Sequence, residues 1–274
     1  VKLNKKVRII LGCDEETGMR GLIHYLEKEK MPDLGFSPDA EFPLIYAEKG
    51  IAMYDFLGKV KSDLILSLTA GERYNVVPDE CIVELAEDKS RVFYKYLKEN
   101  NIQGSIDGHK YTILGKNGHA AMPDLAVNAI SLMIGFLDLV SEDKFVKFMK
   151  KYLYADNYGK KLGIHCYDDE MKDLTNNLSL IRYDGEELRI GLNMRYPRNY
   201  NFEQGEKDMS ALASEYGLEY KFIHNSIPHY VSPEEDLVNF LPWCIDRYTP
   251  ERIRLPPSEV NAKFPNTLDL RFKS

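Results

Sequence analysis

The chain has 274 residues, a net charge of −7 at neutral pH and a sequence pI near 5.5, with 44% hydrophobic and 29% charged residues. The length allows one large or two smaller domains with a substantial core, and the acidic balance excludes the basic footprint of a nucleic-acid binder. No run approaches the ~20 apolar residues of a membrane span, and no secretory leader is visible.

The four cysteines, Cys13, Cys81, Cys166 and Cys244, make no C-x-x-C pair. They read as reduced thiols of a cytoplasmic protein. Residue 1 is Val and a strand-like run follows at once, which leads us to expect a piece of a longer chain.

Val7 to Leu11 is a short continuous apolar run of the kind found in buried parallel strands. It ends in Asp14, Glu15 and Glu16. A helix follows, with Met19, Leu22, Ile23 and Leu26 on one face and Pro32 beyond its end. Leu34–Phe36 and Phe42–Ala47 are further strand candidates, which makes the opening a βαβ unit with parallel strands.

After Gly50 the pattern changes. Strands are expected around 64–69, 81–85, 111–115 and 219–224. Helices are expected over 88–100, 125–140 and 202–216. Asn177–Ile181 and Leu188–Tyr196 flank an Asp184-Gly185 pair that favours a hairpin. This α+β middle differs from the opening and reads as an inserted domain. The stretch after Pro242 has four prolines, no glycine and no clear period.

Glu15 and Glu16 sit where a parallel strand would end, the edge at which open α/β sheets bind ligands, and Asp39 follows the next strand. Three carboxylates at one edge repel unless a cation offsets them, and hard oxygen ligands suit Zn, Mn or Mg. The same acids could simply stabilise a helix dipole, worth roughly 0.3–1 kcal/mol each. Spacing alone leaves both readings open.

"GCDEETG" together with "GFSPDAEFPLIYAEKG" resembles the catalytic core of the dinuclear-metal aminoacylase/carboxypeptidase/dipeptidase family of metallopeptidases, closest to its PepV-type, carnosinase-like Xaa-His dipeptidase branch. "GERYNVVPD", "GKNGHAAMPDLAVNA" and "LNMRYP" extend the similarity to about Leu237. The resemblance implies an α/β fold: a partial zinc-peptidase-like catalytic domain with parallel strands at 1–50, an inserted α+β lid domain at 51–228, and a return to the catalytic domain at 229–274. It implies Glu15 as general base, Glu16 and Asp39 as metal ligands, Asn75 and Arg195 as substrate-binding residues, and His119 as the oxyanion-stabilising catalytic residue.

The implied activity is metal-dependent hydrolysis of a small dipeptide, with two Zn ions per intact site (Mn being possible). N-acyl-amino-acid deacylation or desuccinylation within the same family stays open, as does a non-catalytic module that has lost its metal centre. The family's upstream His-x-Asp motif, bridging Asp and late His have no counterpart here, since no His precedes Glu15 and none follows His229. An incomplete, weakly active or inactive chain is therefore expected. No membrane or nucleic-acid partner is expected, and nothing in the sequence speaks to an oligomeric state.

Overall fold

The computed structural model describes residues 6–13, 20–37 and 44–241. The chain divides into two compact units, Ala47–Tyr230 and the flanking segments 1–46 with 231–274.

In the flanking unit, helix α1 (Arg20–Lys28) forms where the 3.6-residue apolar spacing predicts it. Arg8 donates to the Tyr25 hydroxyl and to the Lys30 carbonyl. A small apolar cluster joins Val231 and Val238 to Leu44, Tyr46, Leu237 and Leu241. The expected parallel strands at 7–11 and 34–36 are not formed. Neither run pairs with any described residue, and Val7, Ile9 and Leu11 are 69%, 82% and 91% exposed. A strand's polar backbone needs a ladder partner, and apolar propensity alone does not supply one.

The larger unit is a mixed α/β layer structure. Its strands are β1 (Ala47–Glu48), β2 (Gly50–Lys59), β3 (Ile65–Ala70), β4 (Val76–Val77), β5 (Glu80–Leu85), β6 (Gln103–Asp107), β7 (Lys110–Leu114), β8 (Gly118–His119), β9 (Tyr167–Asp168), β10 (Lys172–Asp173), β11 (Thr175–Tyr183), β12 (Glu187–Tyr196), β13 (Glu219–Ser226) and β14 (His229–Tyr230). Eight of them form one antiparallel sheet in the order β13-β2-β12-β11-β3-β5-β7-β6. Helices α2 (Ser90–Asn100), α3 (Ala129–Leu137), α4 (Lys144–Tyr152) and α5 (Phe202–Glu215) contribute to a single core with it.

Alternation along β2 shows how the faces divide. Ala52, Tyr54 and Phe56 are at most 1% exposed, and Phe56 meets Phe148 of α4 edge-on at 5.1 Å. Phe93 of α2 meets Phe136 of α3 at 4.9 Å in the same core. Ile51, Met53, Asp55 and Leu57 take the opposite face by the two-residue period. Gly50 opens β2 opposite Tyr196, whose ring carbon would lie 2.4 Å from any Cβ placed there. Only glycine lets that ring cross the strand.

The apolar stretch expected to be one helix over 125–140 is split. A 3-10 turn (Pro123–Leu125) precedes α3, because Asn128 caps α3 with a side chain that accepts from the Ile130 and Ser131 amides at 3.0 and 3.2 Å. The capping amide also donates to the Leu178 carbonyl at 2.6 Å, which ties the helix start to β11.

Gly71 ends β3 with φ +67°, and a Cβ there would lie 2.0 Å from the Ser179 carbonyl oxygen. Replacing Gly71→Ala would combine left-handed strain with a backbone clash. We expect a loss of about 2 kcal/mol or more, read as a Tm drop of about 4–8 °C in a thermal melt.

Candidate functional site

Three of the six sequence-predicted site residues, Glu15, Glu16 and Asp39, lie outside the described residues. The other three, Asn75, His119 and Arg195, are all in the larger unit, on or beside its second sheet face.

The face is built from register. Arg195 of β12 pairs with Thr175 of β11 on one side and with Ile51 of β2 on the other. Two residues back, Asn193 pairs with Asn177 and with Met53. Directly opposed residues in an antiparallel pair share a face, so Thr175, Asn177, Asn193 and Arg195 form a polar block of two rows.

The two-residue strands β4 and β8 pair with each other, Val76 against His119 and Val77 against Gly118. Their segment is pinned to the same face. Asn177 Nδ2 donates to the Val76 carbonyl at 3.0 Å, and Ser179 Oγ donates to the Tyr74 carbonyl at 2.6 Å. The Tyr74 hydroxyl donates to Asp55, itself 2% exposed and paired with Arg189 Nε at 2.8 Å. The Asn75 side chain is exposed, and its carbonyl accepts from the Ala120 amide at 3.0 Å. The chain therefore brings Asn75 beside His119 through the backbone.

His119 is held in a defined state. Its Nδ1 lies 3.0 Å from the Ala121 amide, which can only donate, so Nδ1 is the acceptor and the neutral ring carries its proton on Nε2. Burial pushes the imidazole pKa down, and the Arg195 charge lowers it further. A neutral imidazole with a free Nε2–H is a hydrogen-bond donor suited to a developing oxyanion.

Arg195 is largely buried, and its burial is only partly offset. Its Nε is buried and finds no hydrogen-bond acceptor, and no ion pair to it exists among the described residues. Burial lowers its pKa, opposed by the charge of Glu48. Lys49 stands nearby, its own pKa lowered by burial and then by Arg195, while Asp173 opposes both. Lys49 Nζ donates to the Asp173 carbonyl, and His165 Nε2 pairs with the Asp173 carboxylate at 2.8 Å.

Sequence reasoning missed Thr175, Asn193 and the buried Asp55–Arg189–Tyr74 group. The alternation of polar residues in "TNNLSLIRY" and "LRIGLNMRY" was the available signal, since Thr175, Asn177 and Ser179 and then Arg189, Asn193 and Arg195 recur at even spacing.

The His119 pKa lies below its ordinary value near 6.5, so between the two values the unfolded chain binds a proton that the folded chain does not. Stability should fall as pH drops through about 6.5, and His119→Gln should remove that component from the pH profile of Tm. In an NMR titration the His119 ring should show a midpoint below 6.5, moved up by Arg195→Met but not fully restored, because burial remains the larger cause.

The peptidase dimerisation domain of the M20 family matches residues 101–221. A Staphylococcus saprophyticus protein provisionally named a dipeptidase is 34% identical over 262 residues, covering 88% of this chain and 56% of its own length. A Staphylococcus aureus (strain MW2) protein of the same provisional name gives the same figures. The chain spans about half the length of the curated relatives it matches. An aminoacylhistidine dipeptidase from Vibrio alginolyticus aligns with a TM-score of 0.44 and 12% identity, over 89% of this chain and 58% of its own. Residues 101–221 are thus similar to the M20 peptidase dimerisation domain, and 88% of the chain aligns with proteins provisionally named dipeptidases.

Proposed function

We propose that this chain acts in the hydrolysis of dipeptides, with Arg195 as the group that grips the substrate's terminal carboxylate. The observation that carries the reading is the Arg195 guanidinium, buried at Nε and lacking an acceptor among the described residues. Leaving a charge desolvated costs several kcal/mol, and a planar fork of donors is matched by a carboxylate. Dipeptidase-named relatives along 88% of the chain supply the reaction class.

In this reading, Asn75 adds a polar contact to the substrate beside the β4–β8 pair. His119 donates from Nε2 to the carbonyl oxygen as it takes on negative charge. On the family resemblance, Glu15 takes a proton from the attacking water and returns it to the leaving amine as the C–N bond breaks. Residues 51–228 are then the substrate-binding lid, and 1–50 with 229–274 are catalytic-domain segments. Cytoplasmic residence accords with the free thiols of Cys13, Cys81 and Cys166.

The family implies two zinc ions, with Glu16 and Asp39 as ligands. Among the described residues no three His, Cys, Asp or Glu side chains converge on a metal position. Two carboxylates are also fewer than the four ligands of tetrahedral zinc, so these residues do not fit a closed metal shell. The roles above concern only this chain's own side chains. An N-acyl amino acid offers Arg195 the same carboxylate, which keeps deacylation as the second reading.

The test is a panel of dipeptides, their C-terminal amides and N-acyl amino acids, assayed with and without Zn or Mn on this chain and on an upstream-extended one. Dipeptides with a free carboxylate should be preferred. Arg195→Met should lower kcat/KM by about 30-fold for them, equivalent to about 2 kcal/mol for a charged hydrogen-bonded contact, and leave the amides unaffected. Glu15→Gln should abolish turnover while sparing binding. Preference for N-acyl amino acids would select the deacylase, and binding without turnover in both chains would select the non-catalytic module.

A further inference from the structure

The polar side chains of the second sheet face divide into two groups. Around Arg195, Thr175 Oγ1, both polar atoms of the Asn193 amide and Arg195 Nε are buried and find no hydrogen-bond partner among the described residues. Beneath residues 71–79 the buried side chains of Asp55, Asn177 and Ser179 are all satisfied, and most of their contacts converge on Tyr74. The Tyr74 hydroxyl donates to Asp55 and accepts from Arg189 Nη2 at 2.9 Å, while Arg189 Nε donates to the other Asp55 oxygen at 2.8 Å. The Tyr74 carbonyl accepts from Ser179 Oγ at 2.6 Å. One residue is thus held at its side-chain end by β2 and β12 and at its backbone end by β11.

The next anchor is Val76, whose carbonyl accepts from Asn177 Nδ2 at 3.0 Å. Asn75 lies between the two anchored residues. Its side chain is exposed, and its carbonyl accepts from the Ala120 amide at 3.0 Å. Val76 in turn pairs with His119 in the β4–β8 ladder. One short segment therefore sets the places of both Asn75 and His119. Only two of its residues are regular strand, so its position comes from these anchors more than from a ladder. Hydrogen bonds are directional and fix a backbone more closely than apolar contact does. The arrangement also buries the Asp55 carboxylate, 2% exposed, where a well-packed apolar group is often as stable.

We propose that Tyr74 is a positioning residue for the reaction, with Asp55 and Arg189 as its supports: its tethered hydroxyl fixes the spacing between the Asn75 side chain and the His119 ring. The inference rests on the dipeptidase reading for what those two groups contact, the substrate and the developing oxyanion, and not for where they stand. Tyr74 acts through them rather than on the substrate. Without the hydroxyl the segment keeps its Ser179 and Asn177 contacts but loses the tether to β2 and β12, and a shift of about 1 Å in an oriented group can cost up to about a hundredfold in rate.

The test is Tyr74→Phe in the full chain, which deletes one oxygen and keeps the ring. The first readout is hydrogen exchange at the Ala120 amide, which reports its contact with the Asn75 carbonyl. It should accelerate about tenfold or more, while the amides of the β2–β12 ladder exchange as in the wild type. Unchanged exchange at Ala120 overturns the proposal, as does acceleration spread over the ladder, which would make the hydroxyl a general support of the fold. Should Tyr74→Phe fail to fold, Arg189→Lys is read in the same way, since it keeps a cation for Asp55 and gives up the guanidinium arm on the Tyr74 hydroxyl.

The second readout is a mutant cycle on dipeptide turnover. Tyr74→Phe alone should lower kcat about tenfold. In a His119→Gln background it should lower kcat less than about twofold, because the oxyanion donor that it places is gone. Equal losses in the two backgrounds overturn the positioning role, since a purely structural effect multiplies. Turnover with uncoupled losses leaves the dipeptidase standing and removes this proposal. Local acceleration at Ala120 in a chain that turns over no dipeptide keeps the hold of Tyr74 on the two residues and removes the dipeptidase.

Discussion

The ten-pair ladder between β2 and β12 is the constraint on which the rest depends. It runs without a bulge from Lys59 opposite Glu187 to Gly50 opposite Tyr196. Strand faces alternate with a period of two, so this register alone decides which residues of "ELRIGLNMRY" reach the helices and which reach the second face. Ile190, Leu192, Met194 and Tyr196 go to the core, each at most 2% exposed. Arg189, Asn193 and Arg195 go to the other side. A one-residue slip would turn the guanidinium of Arg195 to the core face, where Tyr196 now packs with Tyr200 and Phe202, and would turn that tyrosine to the polar face. The glycine at position 50 protects this register, because the Tyr196 ring occupies the space of its missing Cβ.

What the ladder fixes on one strand, a second set of contacts transmits to the loop that carries Asn75 and the strand that carries His119. The Asp55 carboxylate is buried on β2, and its cost is met by Arg189 from the neighbouring strand and by the Tyr74 hydroxyl. Burial and the hydrogen bond to Asp55 push the Tyr74 hydroxyl up to about 12, so it stays a donor throughout the physiological range. A buried pair of this kind is weak evidence for stability, since a hydrophobic substitute is often as good. Its geometric effect is clearer. Together with the Asn177 and Ser179 contacts, it leaves the 74–77 segment one position over the sheet, and His119 follows through the β4–β8 pair.

The inner elements were legible because their local and tertiary signals agree. Helices α2 and α5, strands β5 and β7 and the β11–β12 hairpin emerge from periodicity and from Asp184-Gly185. The departures have identifiable causes. Strand β2 escapes the pattern because its two glycines and Asp55 interrupt an otherwise apolar run, and the partners Tyr74 and Arg189, 19 and 134 residues away, explain that aspartate. Helix α3 begins later than its apolar composition suggests because Asn128 caps it. The runs 7–11 and 34–36 have the composition of buried strands, but pairing is a non-local property that composition does not carry. Of the site, Asn75, His119 and Arg195 were reachable only by resemblance. Nothing in the residue types distinguishes Asn193 from any other strand asparagine until the register sets it beside Arg195.

The polar block also bears on why such an arrangement is retained. An interior that left Thr175, Asn193 and Arg195 unsatisfied with nothing to bind would gain stability from apolar substitutions at all three positions. Asn177 within the block and Ser179 next to it show that this chain can satisfy buried polar groups, since both find partners. On this sheet face the unsatisfied groups lie beside the buried guanidinium, with the neutral imidazole of His119 close enough to feel its charge. Localised destabilisation of this kind is the usual signature of preorganised recognition, where donors are held apart from water before the ligand arrives and the cost of orienting them falls on folding rather than on binding.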